Sequence, residues 1–484
     1  MIAPNANASS ARVKWDSLDW ELIETMVKQL QMRIAKAIRG SKYRKAKSLQ
    51  WLLTHSYYAK LMAVRRVTQN RGNKTPGVDK IVWKTPTQKL NAVTQLNRRG
   101  YKTLPLRRIY IPKNGDNRKL RPISIPPMKC RAMQALHLLA LEPIAETIVD
   151  KNSYGFRPNR SCADAIEQCF ITLARKSSAQ WVLEGDIKSC FNTISHRWLY
   201  DNIPMDKMIL KQWLESGYIE DQQLKATLEG VGQGSVISPT LLNLTLRGLE
   251  AAIIAATKPK YKVHVVFYAD DFVVTGATRE ILEVTVKPLI TDFLKERGLE
   301  LSEEKTLITH INNGFDFLGH NVRKYKQKLL IKPAKKGIKS FLKNIRGVIK
   351  TKATVKTEEL IQILNPKIRG WANFYKHVVS KAIFSQVDHE IFKAIGKWVK
   401  RRHPNKSWKW INKKYFCKIE HDNWVFNAGL QASQGRYQLL RLFSASSVAI
   451  KRHIKIRSEA TPYDPKYNEY FEKRWARVKL QPFI

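Results

Sequence analysis

Two adjacent aspartates, Asp270 and Asp271, interrupt an apolar stretch that reads Val-Val-Phe-Tyr-Ala before them and Phe-Val-Val after them. Paired carboxylates repel each other and Asp disfavours strands, so apolar strands do not carry such a pair for the sake of the fold. Val263 to Val274 reads as two strands around the pair. A two-residue hairpin turn selects Asn-Gly or Asp-Gly, because it needs positive φ, and Asp-Asp meets that need poorly. A third carboxylate, Asp186, follows the short apolar strand Trp181 to Gly185 and precedes Ile-Lys-Ser-Cys-Phe-Asn. Three carboxylates from neighbouring strands make an oxygen-rich cage for hard divalent cations. Two such ions about 4 Å apart clamp the attacking and leaving oxygens of an in-line displacement at phosphorus. Positioning and charge neutralisation then carry most of the catalysis.

The charge balance points to the substrate. The 484 residues include 86 Lys and Arg against 40 acidic residues, a net charge of +46. A surplus of that size is the electrostatic footprint of a polyanion partner, above all nucleic acid. It is spread along the whole chain rather than gathered beside an apolar segment, which disfavours a membrane surface. No run of about 18 uncharged apolar residues suggests a membrane span, and Met1 to Ser10 lacks the plan of a secretory signal. A cytoplasmic location without a secretion signal is therefore expected. The five cysteines, Cys130, Cys162, Cys169, Cys190 and Cys417, include no Cys-x-x-Cys pair, which argues against a zinc ribbon or a disulfide framework.

Periodicity outlines the architecture. Leu18, Leu22, Met26, Leu30, Ile34 and Ile38 recur at helical spacing; Gly40 interrupts, and a second helical run follows through Leu49, Leu52, Leu53 and Leu61. Arg107 to Pro127 alternates, turns through Asn114-Gly115-Asp116-Asn117 and returns, which predicts a β-hairpin with basic residues at both strand ends. Cys130 to Ile148 reads as helix. Strands mixed with helices without strict alternation predict an α+β fold. After about Arg323 helical patterns dominate, with Trp371, Trp398, Trp408, Trp410 and Trp424 among dense Lys and Arg.

In these residues the chain resembles the reverse transcriptase–maturase proteins encoded by group II introns. Tyr268-Ala269-Asp270-Asp271 is similar to that family's catalytic box, and Asp186 to Phe191 to its first-aspartate motif. Thr75 to Asp79, Ile111-Pro112-Lys113, Arg121-Pro122-Ile123, Ser153 to Pro158 and Phe315 to Gly319 match as well. Ile368 to Tyr375, with Arg369-Gly370-Trp371, resembles the maturase or X domain that serves as thumb. The resemblance implies a right-hand polymerase, with fingers and an antiparallel palm sheet, followed by an all-α basic thumb. The expected divisions are an N-terminal helical extension (1–80), fingers and palm (81–325), the maturase domain (326–443) and a basic DNA-binding tail (444–484) without a His-Asn-His endonuclease.

Carried over by position, the resemblance implies Asp186, Asp270 and Asp271 as ligands of two Mg2+ ions, with the Ile187 carbonyl assisting. Phe191 matches the aromatic gate that excludes a ribose 2′-hydroxyl. Lys113 and Arg121 match the cations that hold the incoming deoxynucleoside triphosphate, with Lys119 the alternative lysine. Gln233 lies in Gly230 to Ser235, which departs from the family's loop beside the nascent base pair: Gly232 replaces Pro and Ser235 replaces Gly. The departures are expected to reshape that loop. Arg369 and Trp371 in the thumb, and Lys451, Arg452, Lys455 and Arg457 in the tail, are the expected nucleic-acid contacts. The implied partners are the group II intron RNA, held as a lariat ribonucleoprotein, a target DNA and dNTPs. The implied activity is RNA-directed DNA synthesis during retrohoming, beside assistance to splicing. A polymerase of another bacterial retroelement and a splicing-only maturase are the alternatives, and the oligomeric state stays open.

Overall fold

The computed structural model describes residues 14–113, 116–419, 422–431 and 437–479. The chain divides into two compact units, one of residues 1–161, 185–307 and 456–484, the other of residues 162–184 and 308–455.

The first unit opens on three helices, Trp20–Arg39, Tyr43–His55 and Tyr57–Gln69. Asp19 caps the first by accepting from the Leu22 amide at 3.0 Å. The break expected at Gly40 is there, and Ser56 splits the second helical run in two. Their apolar faces (Val27, Ile34, Leu53, Val64) pack around the long helix Met128–Ile148, whose residues are almost all buried. Val27, Ile34, Leu53 and Val64 are fully covered, so four helices share one core.

The basic hairpin forms as the alternation predicts, from Leu106–Lys113 and Asp116–Ile125. Asn114 and Gly115 of its turn, and the side chains of Lys113 and Lys119, lie outside the described residues. The hairpin is extended by Tyr218–Glu220, parallel to its first strand through Leu106 and Tyr218, and then by Gln223–Lys225. The aspartate pair sits on a second hairpin of the same unit. Strands Val265–Tyr268 and Asp271–Gly276 run antiparallel, with Tyr268 opposite Asp271. The strand next in that sheet is Trp181–Asp186, whose last two residues, Gly185 and Asp186, belong to this unit.

The second unit contains a three-stranded sheet, Phe315–Phe317, His320–Tyr325 and Lys328–Pro333. Three long helices follow: Lys335–Thr351, Thr357–Tyr375 and Lys381–Arg402. Leu360, Leu364, Ile368 and Ala372 on one helix, and Phe384, Val387, Ile391, Ile395 and Trp398 on another, are all buried. The helical expectation for 326–443 holds for these three helices and Trp408–Tyr415. It needs correction at both ends of that span. Lys328–Pro333 is a strand, and beyond Tyr415 come Phe416–Ile419, Asp422–Gln431 and Tyr437–Arg441, a three-stranded antiparallel sheet. Phe416, Val425 and Phe426 supply the aromatic and β-branched residues that a pleated surface packs well.

Candidate active site

The hairpin that carries the pair closes through Ala269 and Asp270, with Tyr268 opposite Asp271. The turn therefore falls one residue earlier than a simple Asp-Asp turn, and it sets the two carboxylates at successive positions at the mouth of a strand. Ala269 has φ +60°, which a residue with a Cβ adopts only under constraint from its surroundings. The constraint is visible. A Cβ on Gly155 would stand 2.3 Å from the Ala269 nitrogen, so only glycine lets the backbone of 155 press against the turn.

Gly155 is itself held from several sides. Its carbonyl accepts from Asn243 Nδ2 at 3.0 Å, and the Tyr154 amide donates to the Phe267 carbonyl at 3.0 Å. Two residues on, Arg157 makes a bidentate pair with Glu146 (2.7 and 3.1 Å) and donates to the carbonyls of Asp150 and Ser153 at 2.9 Å each. Arg160 donates to the same carboxylate at 2.7 Å. All three side chains are buried, and a buried carboxylate with two guanidinium partners is the pairing that such burial demands.

Asp186 reaches the site from the end of its strand. Gly185 beside it lies under the Phe272 ring, where a Cβ would meet ring carbons at 2.2 Å. Past Asp186 the chain pairs with residues 300–302: Ile187 bridges Leu301, the Lys188 amide donates to the Glu300 carbonyl, and the Ser302 amide donates to the Asp186 carbonyl. The turn Glu303–Lys305 follows at once and delivers Lys305, whose Nζ donates to Asp186 Oδ2 at 2.5 Å. Lys305 was not singled out from sequence. Only its place directly after the Ser302 pairing gives it away, and that pairing is not legible in the residues.

The electrostatics follow from this crowding. Burial pushes the Asp271 carboxyl up to about 7, helped by the charges of Asp270 and Asp186 and opposed by Lys305. Asp270 is also raised, by burial and by Asp186, while Arg121 and Lys305 pull it back. Arg121 on the basic hairpin thus lies within electrostatic reach of Asp270. Among the described residues no three such side chains are already gathered into a ligand shell; Asp186 is turned to Lys305. The donor chemistry nonetheless fits divalent cations. Three hard carboxylates lie close together, and the crowding makes Asp270 and Asp271 hold protons above their ordinary range, which is the condition that cations relieve.

Around this centre lie the other expected residues. Phe191 is half-buried in a short helix, Cys190–Thr193, with its ring edge-on to Phe156 at 6.4 Å. Its carbonyl accepts from the Val231 amide at 2.6 Å. The 230–235 loop is further pinned by the Ser124 amide on the Gln233 carbonyl (2.7 Å) and by Ser238 Oγ on the Gly232 carbonyl (2.9 Å). The Gly-to-Ser and Pro-to-Gly departures meet each other here: a Cβ on Gly232 would lie 2.9 Å from Ser235 Oγ. The loop is held at several points, with the serine hydroxyl beside the space the glycine leaves.

In the second unit, Trp371 packs as part of the helical bundle. Its ring stacks on Phe341 at 4.7 Å and touches Tyr375 and Phe384. Trp398 is buried and donates to the Lys352 carbonyl at 2.9 Å. Arg369 lays its guanidinium over Phe443. Lys451 is exposed, with its amide on the Lys376 carbonyl, and Arg452 covers Phe170. In the first unit Arg457 covers Tyr470. Lys455 is half-buried.

Three family profiles match successive parts of the chain. The profile described as "Reverse transcriptase (RNA-dependent DNA polymerase)" matches residues 111–322, so the chain carries an RNA-dependent DNA polymerase domain. "N-terminal domain of reverse transcriptase" matches 15–96, and "Group II intron, maturase-specific domain" matches 338–416. The chain is 35% identical over 306 residues to protein YkfC of Escherichia coli (strain K12), covering 54% of this chain and 79% of that one. It is 27% identical over 415 residues to the group II intron-encoded protein LtrA of Lactococcus lactis subsp. cremoris, covering 65% and 68%. Among solved structures, telomerase from Candida albicans aligns with a TM-score of 0.37 and 14% identity, over 64% of this chain and 61% of that one. The chain belongs to the group II intron reverse transcriptase/maturase family. Among the described residues no helix is long and apolar enough to cross a membrane.

Proposed function

We propose that this protein binds a group II intron RNA through its maturase domain, assists the folding that the RNA needs to splice, and copies that RNA into DNA at a target site. The observation that carries the reading is the joining, in one chain, of a crowded three-carboxylate centre with a basic helical domain of the maturase type.

Asp186, Asp270 and Asp271, with the Ile187 carbonyl, would hold two Mg2+ ions. When bound, these supply the charge that activates a primer 3′-hydroxyl and neutralises the leaving pyrophosphate. The protein's own groups do the rest. Gly155 and the strained Ala269 fix where Asp270 and Asp271 stand. Arg121, with Lys113 or Lys119 from the same hairpin, meets the triphosphate, and a guanidinium on a hairpin suits a polyphosphate clamp. Phe191 occupies the position where a ribose 2′-hydroxyl would sit. Lys305 holds a proton at Nζ beside Asp186, close to where negative charge develops. Gln233 and the backbone of its loop line the nascent base pair. Arg369 in the thumb and Lys451, Arg452, Lys455 and Arg457 near the end of the chain would meet phosphates of RNA and target DNA, so affinity should fall steeply with salt.

The separation of roles is the test. Asp270→Ala should abolish primer extension on an RNA template while splicing of the cognate intron RNA proceeds at the wild-type rate. Equal loss of both activities would overturn the division between a polymerase centre and an RNA-holding domain.

A further inference from the structure

Segment 456–471 belongs to the first unit, although residues 308–455 before it belong to the second. Its inward side chains, Ile456, Ala460, Tyr463, Tyr467 and Phe471, are buried, while Arg457 stays exposed. Polar groups of helix Met128–Ile148 and of the loop after it pin that inward side. The Tyr463 hydroxyl donates to Glu142 Oε2. Arg160 Nη2 donates to the carbonyls of Ser458 and Ala460, each at 3.2 Å. Farther along, the Trp475 indole donates to Asn159 Oδ1 at 3.3 Å.

Arg160 is the joint. Its other terminal nitrogen, Nη1, donates to Glu146, the carboxylate that also accepts both bonds of the Arg157 fork. All three side chains are at most 3% exposed. In so dry a place each charge needs its partner, and removing one disturbs the others. Arg157 in turn holds the Ser153 carbonyl, two residues before the glycine on which the Ala269 turn rests.

The backbone between these contacts is strained. Phe156 has φ +58° and Asn159 has φ +61°, and each directly precedes one of the two arginines. The left-handed conformations thereby aim both guanidiniums at one carboxylate. A bulky residue such as Phe keeps that conformation only where its surroundings over-determine it. Here the surroundings are Glu146 on helix Met128–Ile148 and the carbonyls of Ser458 and Ala460.

We infer that segment 456–471 is a positioning element of the polymerase centre, and that Arg160 is the positioning residue through which it acts. Its carbonyls hold Arg160, Arg160 and Arg157 share Glu146, and the loop so fixed sets where Gly155 meets the turn of Asp270 and Asp271. A brace for the fold alone could end anywhere on the unit. This one ends on the glycine that touches the catalytic turn. The inference rests on the reading of Asp270 and Asp271 as metal-holding carboxylates and adds the groups that keep them in place.

Arg160→Met removes the joint and leaves Glu146 its Arg157 partner. The full-length proteins are compared at a temperature well below their melting transitions. Two quantities are measured: turnover in primer extension on an RNA template, and affinity for Mn2+, titrated without nucleic acid and read from the free-ion EPR signal. Each should fall about tenfold, the usual loss when a group that supports metal ligands is removed. KM for the template–primer should stay within about twofold, because no nucleic-acid contact is lost. Arg160→Lys should restore part of both losses. Tyr463→Phe, which keeps the ring and loses only the bond to Glu142, should lower both quantities by a smaller factor, and it decides the matter if Arg160→Met does not fold. Unchanged Mn2+ affinity in every variant that folds, or a raised KM with turnover intact, would overturn the positioning role and leave the polymerase reading standing. A wild type that binds no Mn2+ and extends no primer would overturn the metal reading of Asp270 and Asp271 as well.

Discussion

Lys305 donates to Asp186 across 2.5 Å, joining residues 119 apart in the sequence through the pairing of 186–188 with 300–302. The ammonium also lowers the proton affinity of Asp270 and Asp271. Lys305→Met removes that cation, so both carboxyls should hold their protons to higher pH. Primer extension should fall at least about tenfold at neutral pH, with the acid limb of the pH–rate profile moved upward. Lys305→Arg, which keeps the charge, should restore the position of that limb. A profile unmoved in Lys305→Met would remove Lys305 from the centre.

Gly155 is the second lever, because its missing Cβ is what lets the backbone meet Ala269. Gly155→Ala must push the turn that carries Asp270 away by a sizeable fraction of an ångström. Displacements of that order cost up to about a hundredfold in rate. The turnover number for primer extension should drop by at least about tenfold while affinity for RNA stays within about twofold. A fall in RNA affinity of the same size would mean that the fold, rather than the turn, had been lost.

The raised Asp271 carboxyl gives a sign that can be checked. Its pKa in the folded chain is about 7, against an ordinary 3.8. Between those values the folded state keeps a proton that the unfolded chain has released, so the ion-free protein loses stability as pH rises from about 4 to about 7. Mg2+ competes with that proton. The rise in melting temperature on adding Mg2+ should therefore be small near pH 6 and larger near pH 8, and Asp271→Asn should flatten the difference. A Mg2+ effect independent of pH in the wild type would contradict the assignment.

Much of this centre was legible in the residues, and the reason is chemical. Asp270 and Asp271 stand out because apolar strands have no structural use for a carboxylate pair, and the basic hairpin stands out because alternation followed by Asn-Gly specifies a turn. Lys305 was not legible, since its role depends on which strand lies beside Ile187, and periodicity carries no information about long-range pairing. The strands at 416–441 were hidden for a different reason: Lys and Trp are scattered through them, so neither a helical nor an alternating pattern wins. The consequence of Gly155 could not be read at all, because a glycine announces freedom but not the backbone that will occupy the space.

Phe191 can be tested by the sugar it rejects. Its ring sits edge-on to Phe156, and its carbonyl ties the short helix to the 230–235 loop, so truncation removes bulk without removing the backbone bond. Phe191→Ala should raise ribonucleotide incorporation relative to deoxynucleotide incorporation by at least about tenfold, a change of about 1.4 kcal/mol in discrimination. Selectivity measured as the ratio of kcat/KM values should change far more than deoxynucleotide kcat/KM itself. Unchanged selectivity would place the gate elsewhere.

Gly232 and Ser235 should behave as a coupled pair. A Cβ at 232 would lie 2.9 Å from Ser235 Oγ and from Leu106 Cδ1, so Gly232→Pro forces both side-chain tips to move. The Gly232 carbonyl, held by the Ser235 amide at 3.0 Å and Ser238 Oγ at 2.9 Å, resists a backbone shift that would relieve the crowding. Ser235→Gly removes the hydroxyl that the new ring meets. Gly232→Pro alone should lower stability by about 1–3 kcal/mol, the usual cost of overfilling a packed site. The double variant Gly232→Pro/Ser235→Gly should recover most of that loss. The coupling energy from the cycle should be at least about 0.5 kcal/mol, above the scatter expected of independent sites. Strict additivity would show that each departure from the family's loop stands alone, and that neither residue makes room for the other.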